Sequence, residues 1–218
     1  VVALGSHALR ARLVSLGVAS VAAPGSPEQV VNSLIAATRN VRLQSSIADV
    51  QPPPPPPPSS PGTVIAVWGT SGAPGRTTLA AGIATILART APTLLVDADT
   101  ANPTIAHLLG VPVQASGLSI LARTASRGPL TPQDVQSAAV QRSEGLRVIT
   151  GLVTGHRWRE VSRPSIESII GALRLSARYS VVDIASTSLE KSSRGASRDD
   201  AALGVLERVD RLVIVARG

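Results

Sequence analysis

The apolar run VIAVW at 64–68 passes directly into GTSGAPGRTT at 69–78, and that loop passes into the helix-forming stretch TLAAGIATILAR. No other feature restricts the fold of this chain as strongly. A Val/Ile run with no alternating polar face belongs to a strand buried on both sides, the habit of parallel sheets covered by helices. The loop carries three glycines and a proline. Glycines let backbone N–H groups turn inward, and the start of a helix adds partial positive charge, so a strand–glycine loop–helix unit is built to hold an anion.

The rest of the chain repeats the alternation. Apolar runs predict strands over 93–96, 147–149, 180–184 and 212–216, with helices over 77–89, 104–109, 118–125, 132–140, 165–177 and 199–209. Strands alternating with helices give an α/β fold, a largely parallel sheet flanked by helices. Apolar residues make up 44% of the 218, enough for one sizeable core. No run of about 18 apolar residues is present, so nothing in the sequence spans a bilayer.

Composition removes several function classes. There is no cysteine, which excludes disulfides, thiolate-held zinc and iron–sulfur clusters. His7, His107 and His156 are far apart and lack metal-ligand spacing. The net charge is +7, supplied almost wholly by scattered arginines, with Lys191 the single lysine. Scattered charge of this kind reads as a solvated surface, and nucleic acid is the disfavoured partner. The absence of a signal peptide points to the cytoplasm. The chain starts without Met and stops just after an apolar strand, as a fragment would.

Seven consecutive prolines, Pro52 to Pro58, mark the clearest boundary. Such a run favours a stiff polyproline II spacer. Three segments are therefore expected: 1–43, a proline-rich linker at 44–62, and the α/β domain at 63–218. The first reads as strand, helix, strand, helix over 1–4, 8–16, 19–23 and 27–38. Its pieces VVALGSH and VAAPGSPEQVVNSLIAA resemble the last half of a response-regulator receiver domain. Gly5 and Ala23 stand where active receivers carry a hydroxyl residue and a lysine, so the resemblance implies a partial pseudo-receiver used for contacts.

Within the α/β domain the candidate phosphate-binding residues are Gly72, Ala73, Pro74, Gly75, Arg76, Thr77 and Thr78. Thr77 directly follows the basic residue, where a hydroxyl normally ligates Mg²⁺. Downstream, LLVDAD ends in Asp97 and Asp99, and YSVVDIAS carries Asp183. Carboxylates at strand C-termini gather on one edge of a parallel sheet, the edge on which ligands bind. One such carboxylate can hold Mg²⁺ through water and another can orient an attacking water, which makes Asp97, Asp99 and Asp183 catalytic candidates and Thr77, Asp99 and Asp183 metal candidates.

GTSGAPGRTT, LLVDADT and VVDIAS resemble the deviant Walker A, Walker A′ and Walker B segments of the MinD/ParA superfamily of P-loop ATPases. GAPGRTT followed by VDAD and HLLG is most similar to the CpaE/TadZ-like branch, in which a receiver-like domain precedes the ATPase. The resemblance implies ATP with Mg²⁺, a homodimer, protein partners in pilus assembly, secretion or cell division, and a position in the cytoplasm, peripherally at the inner membrane face or at the pole. Two departures weigh against catalysis. Ser71 stands where the family has its signature lysine, and Arg76 replaces the general P-loop lysine, whose ammonium an arginine fork does not duplicate. Two readings follow: a slow, ATP-dependent positioning ATPase, and a non-hydrolysing scaffold working through protein contacts. The polar stretch 189–200 after Asp183 falls where the family has switch II, and Asn102 where it has switch I. Arg157-Trp158-Arg159 is a candidate stacking element or a strand-edge cover.

Overall fold

The structure is a computed structural model. It describes residues 2–4, 20–22, 28, 32, 61–70, 75–111, 115–187 and 196–216. The helix expected over 8–16, nearly all of that over 27–38, the proline run, Ser71 to Pro74 of the loop and Lys191 lie outside the described residues.

Among the described residues eight strands form one sheet: β1 (Val2–Leu4), β2 (Ser20–Ala22), β3 (Thr63–Gly69), β4 (Thr93–Ala98), β5 (Val140–Ser143), β6 (Leu146–Ile149), β7 (Tyr179–Ile184) and β8 (Arg211–Val215). Their order is β2-β1-β8-β3-β7-β4-β6-β5. All pairings are parallel except β5 with β6. The described helices are α1 (Arg76–Leu87), α2 (Ile105–Leu109), α3 (Gly117–Ala125), α4 (Pro132–Ala138), α5 (Arg163–Ser176) and α6 (Asp200–Leu206), with a 3₁₀ turn at Gly155–Glu160.

Side chains along the central strands split between two cores, as the two-residue period of a strand requires. Val64 and Ala66 of β3, Leu94 and Val96 of β4 and Val182 of β7 pack against α3, α5 and α6. Ile65 and Val67, Leu95 and Val181 face the other way, against Ala80, Ile83, Ala84 and Leu87 of α1 and Ile105 of α2. All six residues of β4 are buried. The mostly parallel sheet with helices on both faces is thus present as the residue pattern implies.

Two expectations need correction. The helix expected over 132–140 ends at Ala138, and Val140 opens β5 instead. Thr131 starts α4 with a capping box closed by Asp134, but the chain beyond Ala139 turns extended to pair with β6. Arg157, Trp158 and Arg159 sit in the 3₁₀ turn rather than at a strand edge. There Trp158 packs on the α3/α5 core and Arg159 lies over its ring, 4.7 Å from the centroid.

Candidate functional site

The C-terminal ends of β3, β4 and β7 meet on one rim. β7 lies between the other two, and the register sets Asp183 opposite both Val67 of β3 and Asp97 of β4. Gly75 precedes α1 with φ of 88°, a left-handed conformation that costs glycine little and other residues more. That turn leads directly into α1. Arg76 and Thr77 thereby begin the helix beside the rim, with Thr78 following them.

Each carboxylate has a distinct environment. Asp97, 1% exposed, accepts the backbone N–H of Ile105 at 3.0 Å and that of Asp99 at 3.3 Å. Burial pushes its carboxyl up to about 7; the Ile105 N–H pulls the other way, and the neighbouring Asp183 and Asp99 charges add to the rise. Asp99 accepts the N–H groups of Ala101 at 3.0 Å and Asn102 at 2.7 Å on one oxygen and turns the other toward Arg76, 4.0 Å away. Asn102 therefore contributes a backbone donor to the turn that fixes Asp99.

Asp183 is also 1% exposed, and neither of its oxygens has a hydrogen-bond partner. Burial raises it to about 6. The Thr77 hydroxyl is near enough to favour the ionised form, though outside hydrogen-bond geometry; Asp99 opposes it and Arg76 assists. A buried carboxylate with no donor is costly unless a proton, a cation or a moving donor completes it.

Among the described residues, no group of three or more His, Asp and Glu side chains could hold a metal ion. Asp99 is already occupied by two N–H groups and an arginine. Thr77 and the unpartnered Asp183 fit Mg²⁺ as a hydroxyl and a nearby hard oxygen, since this ion keeps several waters and takes few protein ligands. The structure thus brings Thr77, Arg76, Asp99 and Asp183 together. It sets Asp97 deeper, where it fastens the start of α2.

Two contributors escaped the sequence reading. Thr104 directs its hydroxyl to that of Thr77 at 3.5 Å. Gly151 faces Asp97, since a Cβ there would sit 2.7 Å from the carboxyl carbon. The signal for Gly151 was its place just past an apolar strand on the ligand-bearing rim. Gly69, read as the first residue of the loop, allows the close approach of the Val215 carbonyl and leaves space for the stem of Arg76. A cleft of about 190 Å³ lies beside Asp97, lined by Pro103, Ala106, His107, Gly151, Leu152 and Val153. A larger one, about 370 Å³, opens at the opposite end of the strands around Thr93 and Arg147, away from all three carboxylates.

No family model matches the sequence, and no curated protein matches it. Solved structures do match. A ParA family ATPase from Chlorobium tepidum TLS superimposes with a TM-score of 0.57 at 21% identity, over 70% of this chain and 59% of that one. The fold is that of ParA and MinD ATPases. The septum site-determining protein MinD from Pyrococcus horikoshii OT3, complexed with Mg-ADP, gives a TM-score of 0.55 at 18% identity, over 71% of this chain and 57% of its own. A putative plasmid partition protein from Borrelia burgdorferi B31, bound to AMPPNP, gives 0.53 at 18%, over 72% and 63%. The chain therefore spans about three fifths of the length of these structures, and at such identities the likeness is one of fold. No helix among the described residues is long and apolar enough to cross a membrane.

Proposed function

We propose that the rim binds ATP with Mg²⁺ and that the chain works as a nucleotide-dependent positioning protein of the ParA/MinD kind. The observation that carries this reading is the placement of Thr77, at the start of α1, beside the unpartnered Asp183 carboxylate. A hydroxyl for the metal, a carboxylate lacking a partner and a glycine-bent turn into a helix together suit a magnesium-bound polyphosphate. Gly72, Ala73 and Gly75 would supply backbone N–H groups to the phosphates, Pro74, which has no N–H, would fix the bend between them, Arg76 would add positive charge, and Thr78 would take the next position of the helix start. Asp183 would hold Mg²⁺ through water. Bound Mg²⁺ would shield negative charge on the phosphates.

The finer assignment follows the residue pattern. Segment 1–43 is read as a partial pseudo-receiver, 44–62 as a proline-rich linker and 63–218 as the nucleotide domain. That order supports a CpaE/TadZ-like protein that dimerises on ATP and positions a pilus, secretion or septum-site complex, held in the cytoplasm, at the inner membrane face or at the pole. The relatives' nucleotides, Mg-ADP and AMPPNP, support the choice of ligand. Hydrolysis is expected to be slow, because Ser71 and Arg76 replace the two lysines of the motif.

A second reading, a non-hydrolysing scaffold, is favoured by one specific contact. The Arg76 guanidinium is engaged by the loop's own carbonyls and by Asp99. Titration of the full chain with a fluorescent ATP analogue, with and without Mg²⁺, alongside phosphate release and light scattering, separates the two. Magnesium-dependent binding with dimerisation is expected, and Arg76→Ala should weaken binding at least tenfold, as loss of a charged phosphate contact does. Absence of binding rules out the first reading and leaves the scaffold.

A further inference from the structure

Arg76 starts α1, yet its guanidinium turns back toward β3. One terminal nitrogen donates to the carbonyls of Gly69 at 3.3 Å and Thr70 at 3.2 Å, and the other stands 4.0 Å from an Asp99 oxygen. A Cβ at Gly69 would lie 2.4 Å from the Val215 carbonyl oxygen of the neighbouring strand, and also 3.0 Å from Cδ and 3.3 Å from Cγ of Arg76, so the glycine serves the close approach to β8 first and leaves the arginine stem its place beside the strand end. The Arg76 and Asp99 side chains are only 18% and 8% exposed. A lysine offers a single compact ammonium, whereas the planar fork serves two carbonyls and a carboxylate from different nitrogens.

These oxygens occupy the arginine from the side of the protein. A phosphate would have to draw the same guanidinium outward. Asp99 will not follow it, because Ala101 and Asn102 N–H groups hold its other oxygen. The turn is braced further by the Thr100 hydroxyl on the Arg198 carbonyl at 3.4 Å and by Gly155, whose absent Cβ leaves room for the Ala101 carbonyl.

We propose that Arg76 and Asp99 form a clasp at the start of α1, so that a nucleoside phosphate must compete with Asp99 for the guanidinium. This rests on the nucleotide reading given above. Asp99 is then a positioning residue that acts through Arg76 and sets the affinity of the loop for phosphate. Asp99→Asn is the informative change, since the amide oxygen still accepts the Ala101 and Asn102 N–H groups while the competing charge is gone.

The test is a titration of the full chain with 2′/3′-N-methylanthraniloyl-ATP, read by energy transfer from the two tryptophans, Trp68, which immediately precedes Gly69, and Trp158. Four proteins are compared: parent, Asp99→Asn, Arg76→Ala and the double variant. Asp99→Asn should tighten binding by on the order of fivefold, the value of a loose, partly buried ion pair. The gain should vanish when Arg76 is alanine. Unchanged or weaker binding by Asp99→Asn overturns the clasp. So does an equal gain in the Arg76→Ala background, which would mean that any lost negative charge helps. Urea unfolding of the same four proteins without ligand should be non-additive, and additive midpoints overturn the contact itself. If none of the four binds, the nucleotide reading falls and the competition with it, while the unfolding cycle still judges the pair.

Discussion

Asp97 links the electrostatics of the rim to a measurable stability. Its carboxyl titrates near 7 in the fold against an ordinary 3.8, chiefly because it is buried. The groups around it are Asp183 across the β4–β7 ladder, Asp99 two residues on, and His107 of α2 on the wall of the adjoining cleft. Asp183 behaves alike, near 6, with Asp99, Arg76 and Thr77 about it. Because both folded values exceed the unfolded ones, the native state keeps protons that the unfolded chain releases. Stability is therefore full below about pH 4 and declines as pH rises toward 7. A carboxyl moved from 3.8 to about 7 has its ionised form disfavoured by on the order of a few kcal/mol. Asp97→Asn keeps an oxygen for the Ile105 N–H and has no proton to lose. It should match the parent at pH 4 and exceed it by a margin of that order at pH 8. Urea unfolding followed by the fluorescence of Trp68 and Trp158 at both pH values measures this. A variant less stable than the parent at pH 8, or one with an undiminished pH slope, would refute the account of Asp97 as a carboxyl kept neutral by burial.

Two further substitutions test the packing that supports the rim. Gly151→Ala places a Cβ 2.7 Å from both the Asp97 carboxyl carbon and Pro103 Cβ; it should destabilise by about 1–3 kcal/mol in denaturant titration, the usual cost of overpacking. Ser116 caps α3 by accepting the Ser119 N–H at 3.0 Å, so Ser116→Ala should lower stability by about 1 kcal/mol, and an unchanged midpoint would show that the cap contributes nothing.

The central strands were legible because a strand buried on both faces has to be an apolar run, and VIAVW, LLV and VV are such runs. Their carboxylates were legible for a related reason: a charged residue ending an apolar strand marks the rim. What each carboxylate does there was not. Asp97 and Asp99 are two residues apart and both read as catalytic candidates, with only Asp99 also read as a metal ligand, yet one fastens α2 and the other faces an arginine. That difference comes from Gly151, Ile105 and Arg76, which only the fold brings near. The backward turn of Arg76 was likewise hidden, since its partners are the Gly69 and Thr70 carbonyls and the Asp99 carboxylate, which only the fold sets around it. β5 was missed because VQRS is polar and exposed along its whole length; its strand character comes from pairing with β6 and from nothing in its own composition.

That same polar strand has a consequence for self-association. β5 closes one end of the sheet and would offer a row of open backbone groups to any other extended chain. Its register slips between Gln141 and Ser143, which breaks the regular spacing of those groups and twists the edge, while Arg142 projects charge at the slip. Edge-to-edge growth of one sheet onto another is disfavoured on this side of the molecule.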